Sequence, residues 1–246
     1  MTCATDCAAP TITRNHLFGP NWGLRHRLGW SGQFGVHGAQ HNESFNAAFH
    51  TQLGFAFAGL NHYAVNDGPG TIEWIGDVGA KVCKTGCHST GRAFDLTAVK
   101  LGPNLYDMNV IWRSTQPREA QRKYLAIWAA MRRDCATVLT AAYNTDHHNH
   151  IHIDTDAGAQ TPPLRTSART DTMLVQTACN LLNGASLTVD GSWGNKTSAA
   201  YQALLGAFRL QCTSPTTNYN HLRGFVELIC RTAMADQSAG AFVGPC

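Results

Sequence analysis

Four of the chain's twelve histidines fall within residues 147–152, in the stretch "DHHNHIHID" at 146–154. Imidazoles gathered this densely either stay in water or must share a common acceptor or ion. A second stretch, "HSTGRAFDLTAV" at 88–99, sets His88 and Asp95 seven residues apart with Gly91 and Ala93 between them. A fold that brings the two stretches together makes a metal centre, and this is the strongest constraint the sequence carries.

A catalytic zinc takes three protein ligands from His, Asp, Glu or Cys and keeps one position open for water. His88 and Asp95 can supply two of the three. The interval between them needs a tight reversal or a loop-to-strand transition, and Gly91 and Ala93 are small enough to admit another backbone closely. "HIHID" reads as a short strand. Side chains at i and i+2 of a strand share a face, so His150 and His152 project together and offer the third ligand and a catalytic group. Each motif alone fits an ordinary turn or a solvated histidine patch. Their coincidence on segments able to form adjacent strands points to zinc, with His147 as a further participant and His148 turned away.

The rest of the chain surrounds these motifs. Residues 1–42, rich in Gly, His and Asn, show little periodicity and read as an irregular arm of the kind a disulfide can clip. A helix is expected over 44–61, opened by Ser44, and a strand over 71–83 with Ile72, Trp74 and Ile75 toward a core. The strongest helical pattern runs over 117–142, with Pro117 near its start and Tyr124, Ile127, Trp128, Met131, Cys135 and Leu139 at helical spacing. "TPPLRTSART", 161–170, is a polar, proline-bearing connection and the expected domain boundary. The fold class expected is α+β: a small antiparallel sheet with flanking helices holding zinc in residues 1–160, a linker at 161–170, and a small all-α module of three helices in 171–246.

Composition narrows the function classes. With 43% hydrophobic and 14% charged residues, the 246-residue chain is globular. Its net charge of +3 is small and scattered, which argues against nucleic acid as a partner. Apolar runs such as "FAFAGL" at 55–60 fall short of the roughly 20 residues that span a bilayer, so no membrane span is expected. The opening "MTCATDCAAP" lacks the basic and apolar regions of a signal peptide. Nine cysteines without paired CxxC spacing favour disulfides in an oxidising, extracellular or periplasmic compartment over reduced thiols acting as small apolar residues. Because nine is odd, at least one stays outside an intramolecular bridge.

"HSTGRAFD" followed by "HNHIH" resembles the zinc peptidases of the lysostaphin, D-Ala-D-Ala metallopeptidase and hedgehog type, and within that group most of all the extensin-like C-terminal family. The resemblance covers roughly residues 44–156, including "DCATVLTAAYNTDHHNHIHID". It implies His88, Asp95 and His152 as zinc ligands, His150 beside the metal as base or transition-state stabiliser, and His147 assisting. It also implies a bridge from Cys135 to Cys83 or Cys87. Two positions depart from the family pattern: Gly86 replaces the usual Ser, and Asn149 stands where dipeptidase-like relatives carry Glu. No HExxH motif offers a glutamate base, which leaves that task to His150.

Further on, "LVQTACNLLNGASLTVDGSWGNKTSAAYQAL" at 174–204 resembles a peptidoglycan-binding domain, through Asp190, Gly191, Trp193, Gly194 and Thr197. Asp190-Gly191 reads as a turn, Thr197 or Asn195 as the cap of the next helix, and Trp193 as core filling. A third helix is expected over 221–235, and Cys179, Cys212, Cys230 and Cys246 suffice for two bridges in so small a core. Together the two resemblances imply a secreted, monomeric zinc peptidase acting on peptidoglycan stem or cross-bridge peptides, as a DD-carboxypeptidase or endopeptidase. The alternative is a non-catalytic, zinc-containing wall- or glycan-binding protein. A His-metal nuclease fits poorly, because "TDAGAQTPP" follows where its helix is required.

Overall fold

The computed structural model describes residues 11–17, 22–28, 37–82, 86–155, 161–211 and 213–244. Its strands are β1 (Ile12–Arg14), β2 (Gly23–Arg27), β3 (His37–Gln40), β4 (Glu43–Phe45), β5 (Ile72–Asp77), β6 (Ala93–Leu101), β7 (Asn104–Asp107), β8 (Thr137–Leu139) and β9 (Ile151–Asp154). Its helices are α1 (Ala47–Asp67), α2 (Arg118–Asp134), α3 (Arg169–Asn183), α4 (Asn195–Ala207) and α5 (Tyr219–Met234).

The architecture is α+β. Its main sheet is larger than the sequence suggests and mixed, running β3-β2-β5-β6-β9-β8 with β7 also on β6; β1 and β4 pair in a separate two-stranded sheet. Strands β2 and β5 are parallel and the other pairs antiparallel. β6 is the organising strand. One edge of it carries β5, while the other carries β9 along Ala93–Leu96 and β7 along Ala98–Leu101. Phe94, Leu96, Ile151 and Ile153 are fully buried, and that apolar face holds the β6–β9 register because a one-residue slip would turn it outward.

Helix α2 lies at the centre of the helical layer against α1, α3 and α5. Every residue from Arg122 to Asp134 is buried, although the pattern is amphipathic. Two of the charged residues, Arg122 and Lys123, are accommodated at neighbouring helix C-termini, where unpaired carbonyls favour cations. Arg122 donates to Leu181 O and to Asp236, and Lys123 Nζ donates to Met234 O at 2.9 Å. Arg132 and Asp171 form a fully buried pair at 2.7 Å, and Arg132 also holds the Pro162 and Pro163 carbonyls. The connection at 161–170 is thereby pinned to α2, and the three C-terminal helices share one apolar cluster with α1 and α2.

Several expectations are corrected. Ser44 lies in β4, and α1 is opened by Asn46, whose Oδ1 accepts from Ala48 N at 3.1 Å and Phe49 N at 3.3 Å. The α2 helix stops at Asp134 rather than 142, because the residues beyond it pair with β9 as β8. The arm is not irregular throughout: β2 and β3 belong to the main sheet, anchored by the Arg27–Asp107 ion pair and by Arg25 stacked 5.1 Å from the Trp74 ring.

The cysteine pairings expected on α2, α3 and α5 are also corrected. Cys135 is a free, buried thiol rather than a partner of Cys83 or Cys87, while Cys87 is disulfide-bonded. Cys179 and Cys230 are free and buried, so they do not take part in the two bridges expected among Cys179, Cys212, Cys230 and Cys246. These thiols pack as small apolar side chains, and Cys230 Sγ donates to Ala126 O across the α5–α2 contact. Cys83, Cys212 and Cys246 lie outside the described residues. Among the described residues, no helix is long and apolar enough to cross a membrane.

Candidate metal centre

The interval between His88 and Asp95 is one 3-10 turn, a left-handed glycine and the start of β6. The turn spans Cys87–Thr90 and carries His88. Gly91 closes it at φ 67°, a conformation that costs most L residues energy. A Cβ at Gly91 would come within 2.8 Å of Asn46 N, and the Gly91 carbonyl accepts the Asn46 N–H at 2.8 Å. Gly86 stands at φ 100°, and its carbonyl accepts both the N–H and the hydroxyl of Ser89 at 3.1 and 2.8 Å.

The three expected ligands are brought together. Asp95 and His152 are register partners on β6 and β9, and His152 Nδ1 lies 2.8 Å from Asp95 Oδ1. His88 Nε2 lies 3.2 Å from Asp95 Oδ2 and 3.3 Å from His152 Nδ1. One donor atom from each of the three side chains lies within 4.8 Å of the others, a grouping that could hold a metal ion. The outer nitrogen of each imidazole is anchored. His88 Nδ1 donates to Ala80 O at 2.6 Å, and His152 Nε2 faces Asp154 Oδ2 at 3.1 Å. Backbone carbonyl and carboxylate partners of this kind orient the ligating nitrogen of metal-bound histidines.

Electrostatics separate the histidines. Burial alone would lower the His152 pKa, but its hydrogen bonds with Asp154 and Asp95 outweigh this and raise it to about 9. Burial would raise Asp95, yet its bonds with His152 and His88 hold the carboxyl well below the usual carboxylate range. His150 behaves oppositely. Burial lowers it to about 4, only partly opposed by Asp95, so it is a neutral imidazole near pH 7.

His150 immediately precedes β9 and turns Nε2 toward Asp95 Oδ1 at 3.7 Å, while Nδ1 donates to Asn149 Oδ1 at 2.8 Å. The buried Asn149 thereby selects the tautomer with an acceptor Nε2. The His147 ring sits 5.2 Å from that of His150 and 5.9 Å from that of His152, so it borders the same site. His148 is exposed and bonded to Thr145 O, turned away as expected.

A second group was not read from the sequence: His26, His41, Glu43 and Asp77 also place four donor atoms within 4.8 Å of one another. The available signal was "HNE" at 41–43, a His and a Glu at i and i+2 of an extended segment.

In the C-terminal motif the marked residues knit a turn. Asp190 Oδ1 accepts from Ser192 N and Gln176 Nε2, Gly191 N donates to Gln176 Oε1, and the Thr197 hydroxyl donates to Ser192 O. Gly194 stands at the N-cap of α4, which has no side-chain cap from Thr197 or Asn195. Trp193 packs on Tyr201, with ring centroids 5.3 Å apart. Comparison of the chain with family models, with curated proteins and with solved structures returns no match.

Proposed function

We propose that the chain is a secreted zinc-dependent peptidoglycan peptidase, a DD-carboxypeptidase or endopeptidase of the extensin-like and D-Ala-D-Ala metallopeptidase type. The observation that carries the reading is the arrangement around Asp95: two imidazoles with anchored outer nitrogens turn their inner nitrogens toward one carboxylate, and a neutral third imidazole stands beside them. Two nitrogens and one oxygen suit zinc, and His88, Asp95 and His152 would hold it. A zinc ion there supplies Lewis acidity and lowers the pKa of a water from about 15.7 toward about 7.

The chain's own residues perform the proton work. His150 Nε2, kept as an acceptor by Asn149, takes a proton from the attacking water. Once charged, the same imidazole stabilises the negative charge developing on the scissile carbonyl oxygen or returns the proton to the leaving amine. His147, bordering His150, assists from the solvent side. Peptidoglycan as substrate rests on the two resemblances: the metal motifs and the "VDGSWGNKT" segment.

Purified sacculi incubated with the protein, with and without chelator, test this reading. Zinc-dependent release of D-Ala assigns a carboxypeptidase and release of opened cross-links an endopeptidase, both read by mass. Sacculi bound by the protein yet left uncut by its zinc-loaded form would instead favour a non-catalytic wall-binding protein.

A further inference from the structure

His26 and Asp77 are register partners in the parallel β2–β5 ladder, which places an imidazole from the N-terminal arm beside a carboxylate at the end of β5. Asp77 is fully buried. Its Oδ1 lies 3.2 Å from His26 Nδ1 and its Oδ2 lies 2.9 Å from His41 Nε2. Glu43 completes the group, with Oε1 3.7 Å from His41 Nδ1 and Oε2 accepting the Ala80 N–H at 3.2 Å. Two carboxylates taken out of bulk water carry two negative charges, which one divalent cation with two neutral imidazoles balances. Two nitrogens and two carboxylate oxygens are a donor set for zinc or a similar divalent transition metal.

The segment leaving this group leads directly to the first centre. Val78 N donates to Asp95 O and Asp95 N to Gly79 O, each at 3.1 Å. Ala80 has both functions in one residue: its N–H binds Glu43, and its carbonyl accepts from His88 Nδ1 at 2.6 Å. Residues 77–80 thus begin in one group and position the backbone of Asp95 and the ring of His88 in the other.

We propose that His26, His41, Glu43 and Asp77 form a second divalent transition-metal site, structural in role, which ties the N-terminal strands to β5 and fixes the 77–80 segment on which His88 and Asp95 are oriented. The site stands independently of any activity at the first centre. The test is metal stoichiometry of the full chain, loaded with zinc, desalted and measured by elemental mass spectrometry.

The wild type is expected to hold two zinc ions, and His152→Gln to keep one of them. His41→Gln is expected to keep one as well, held roughly 10-fold more weakly in competition with a chromophoric chelator because the ring of His88 is less well oriented. Glu43→Gln, which can still accept the Ala80 N–H, repeats the measurement with less disturbance to folding and is also expected to keep one. A wild type holding a single zinc that His152→Gln abolishes, or two zinc ions retained by both His41→Gln and Glu43→Gln, overturns the proposal.

Discussion

Asp95 and His152 stand directly opposite each other across the β6–β9 ladder, their side chains meeting at 2.8 Å. Their neighbours Phe94 and Ile153 are likewise paired but fully buried. Since successive side chains alternate between faces, the core contacts that set the register also bring the candidate metal ligands together. Shifting β9 by one residue would bring Ile151 or Ile153 to Asp95, so the centre depends on correct packing of the sheet.

This geometry assigns different roles to His150 and His152. Substituting His152→Ala removes a donor atom and leaves Asp154 without its imidazole partner, so zinc at this centre should be lost. His150→Ala leaves His88, Asp95 and His152 in place and removes the acceptor nitrogen beside them. Under the proposed function, it should retain zinc while lowering turnover of peptidoglycan peptides by about 10²-fold or more. Elemental analysis alongside muropeptide release reads both effects, and equal metal loss in the two variants would sink the division of roles.

Gly91 offers a test of stability. Alanine there must adopt a left-handed backbone, at about 1–2 kcal/mol, and must also displace the Phe45–Asn46 backbone, at a further 1–3 kcal/mol or so. Gly91→Ala should therefore lose roughly 2–5 kcal/mol in chemical denaturation. Gly184 has nearly the same φ, at 69°, but nothing within 4 Å of a built Cβ. Gly184→Ala should lose only the backbone cost of about 1–2 kcal/mol. Equal losses in the two variants would show that crowding at Gly91 is unimportant.

Each half of the first metal group was legible because it carries a local pattern of its own, a two-residue period linking His150 with His152 and a glycine-bearing interval from His88 to Asp95, although the halves meet across 57 residues. The second was hidden because parallel pairing of β2 with β5 joins His26 to Asp77 across 51 residues, and no local pattern announces that pairing. Strand β2, "GLRHR", alternates poorly and is held by Arg27–Asp107 and Arg25–Trp74 contacts that are visible only in three dimensions. Likewise the helical periodicity past Cys135 continues in the sequence, but pairing of Thr137–Leu139 with β9 overrides it. The buried thiols of Cys135, Cys179 and Cys230 show that cysteine number alone did not reveal the bridges.

Arg132 and Asp171 predict how strongly the C-terminal helices are fastened. Both side chains are about 1% exposed, so removing the arginine leaves the buried carboxylate with only the more exposed Arg165 guanidinium, 3.4 Å away, as a charged partner. Arg132→Met should cost about 3–5 kcal/mol in chemical denaturation. The double variant Arg132→Met/Asp171→Leu should lose clearly less than the sum of the single variants, since no unpaired charge remains. Recovery stays partial because Asp171 also accepts the Arg165 N–H at 2.9 Å. Simple additivity would mean that the pair is not coupled.

His37 gives the pH dependence of the fold a specific source. Its Nε2 lies 2.9 Å from the Thr97 hydroxyl, and its ring packs 5.0 Å from that of Trp74. Burial, reinforced by the nearby Arg27 and opposed by Asp107 and Asp77, lowers its pKa from 6.5 to about 4. The folded state therefore prefers the neutral ring. Its stabilising contribution is complete above pH 6.5 and is lost as the pH falls from there toward about 4, where the unfolded chain has taken up the proton first. His37→Gln retains a hydrogen-bonding side chain without this titration. The stability difference between wild type and His37→Gln should be constant above pH 6.5 and move steadily against the wild type down to about pH 4. Denaturant midpoints across that range provide the measurement, and a difference independent of pH would place the His37 titration elsewhere.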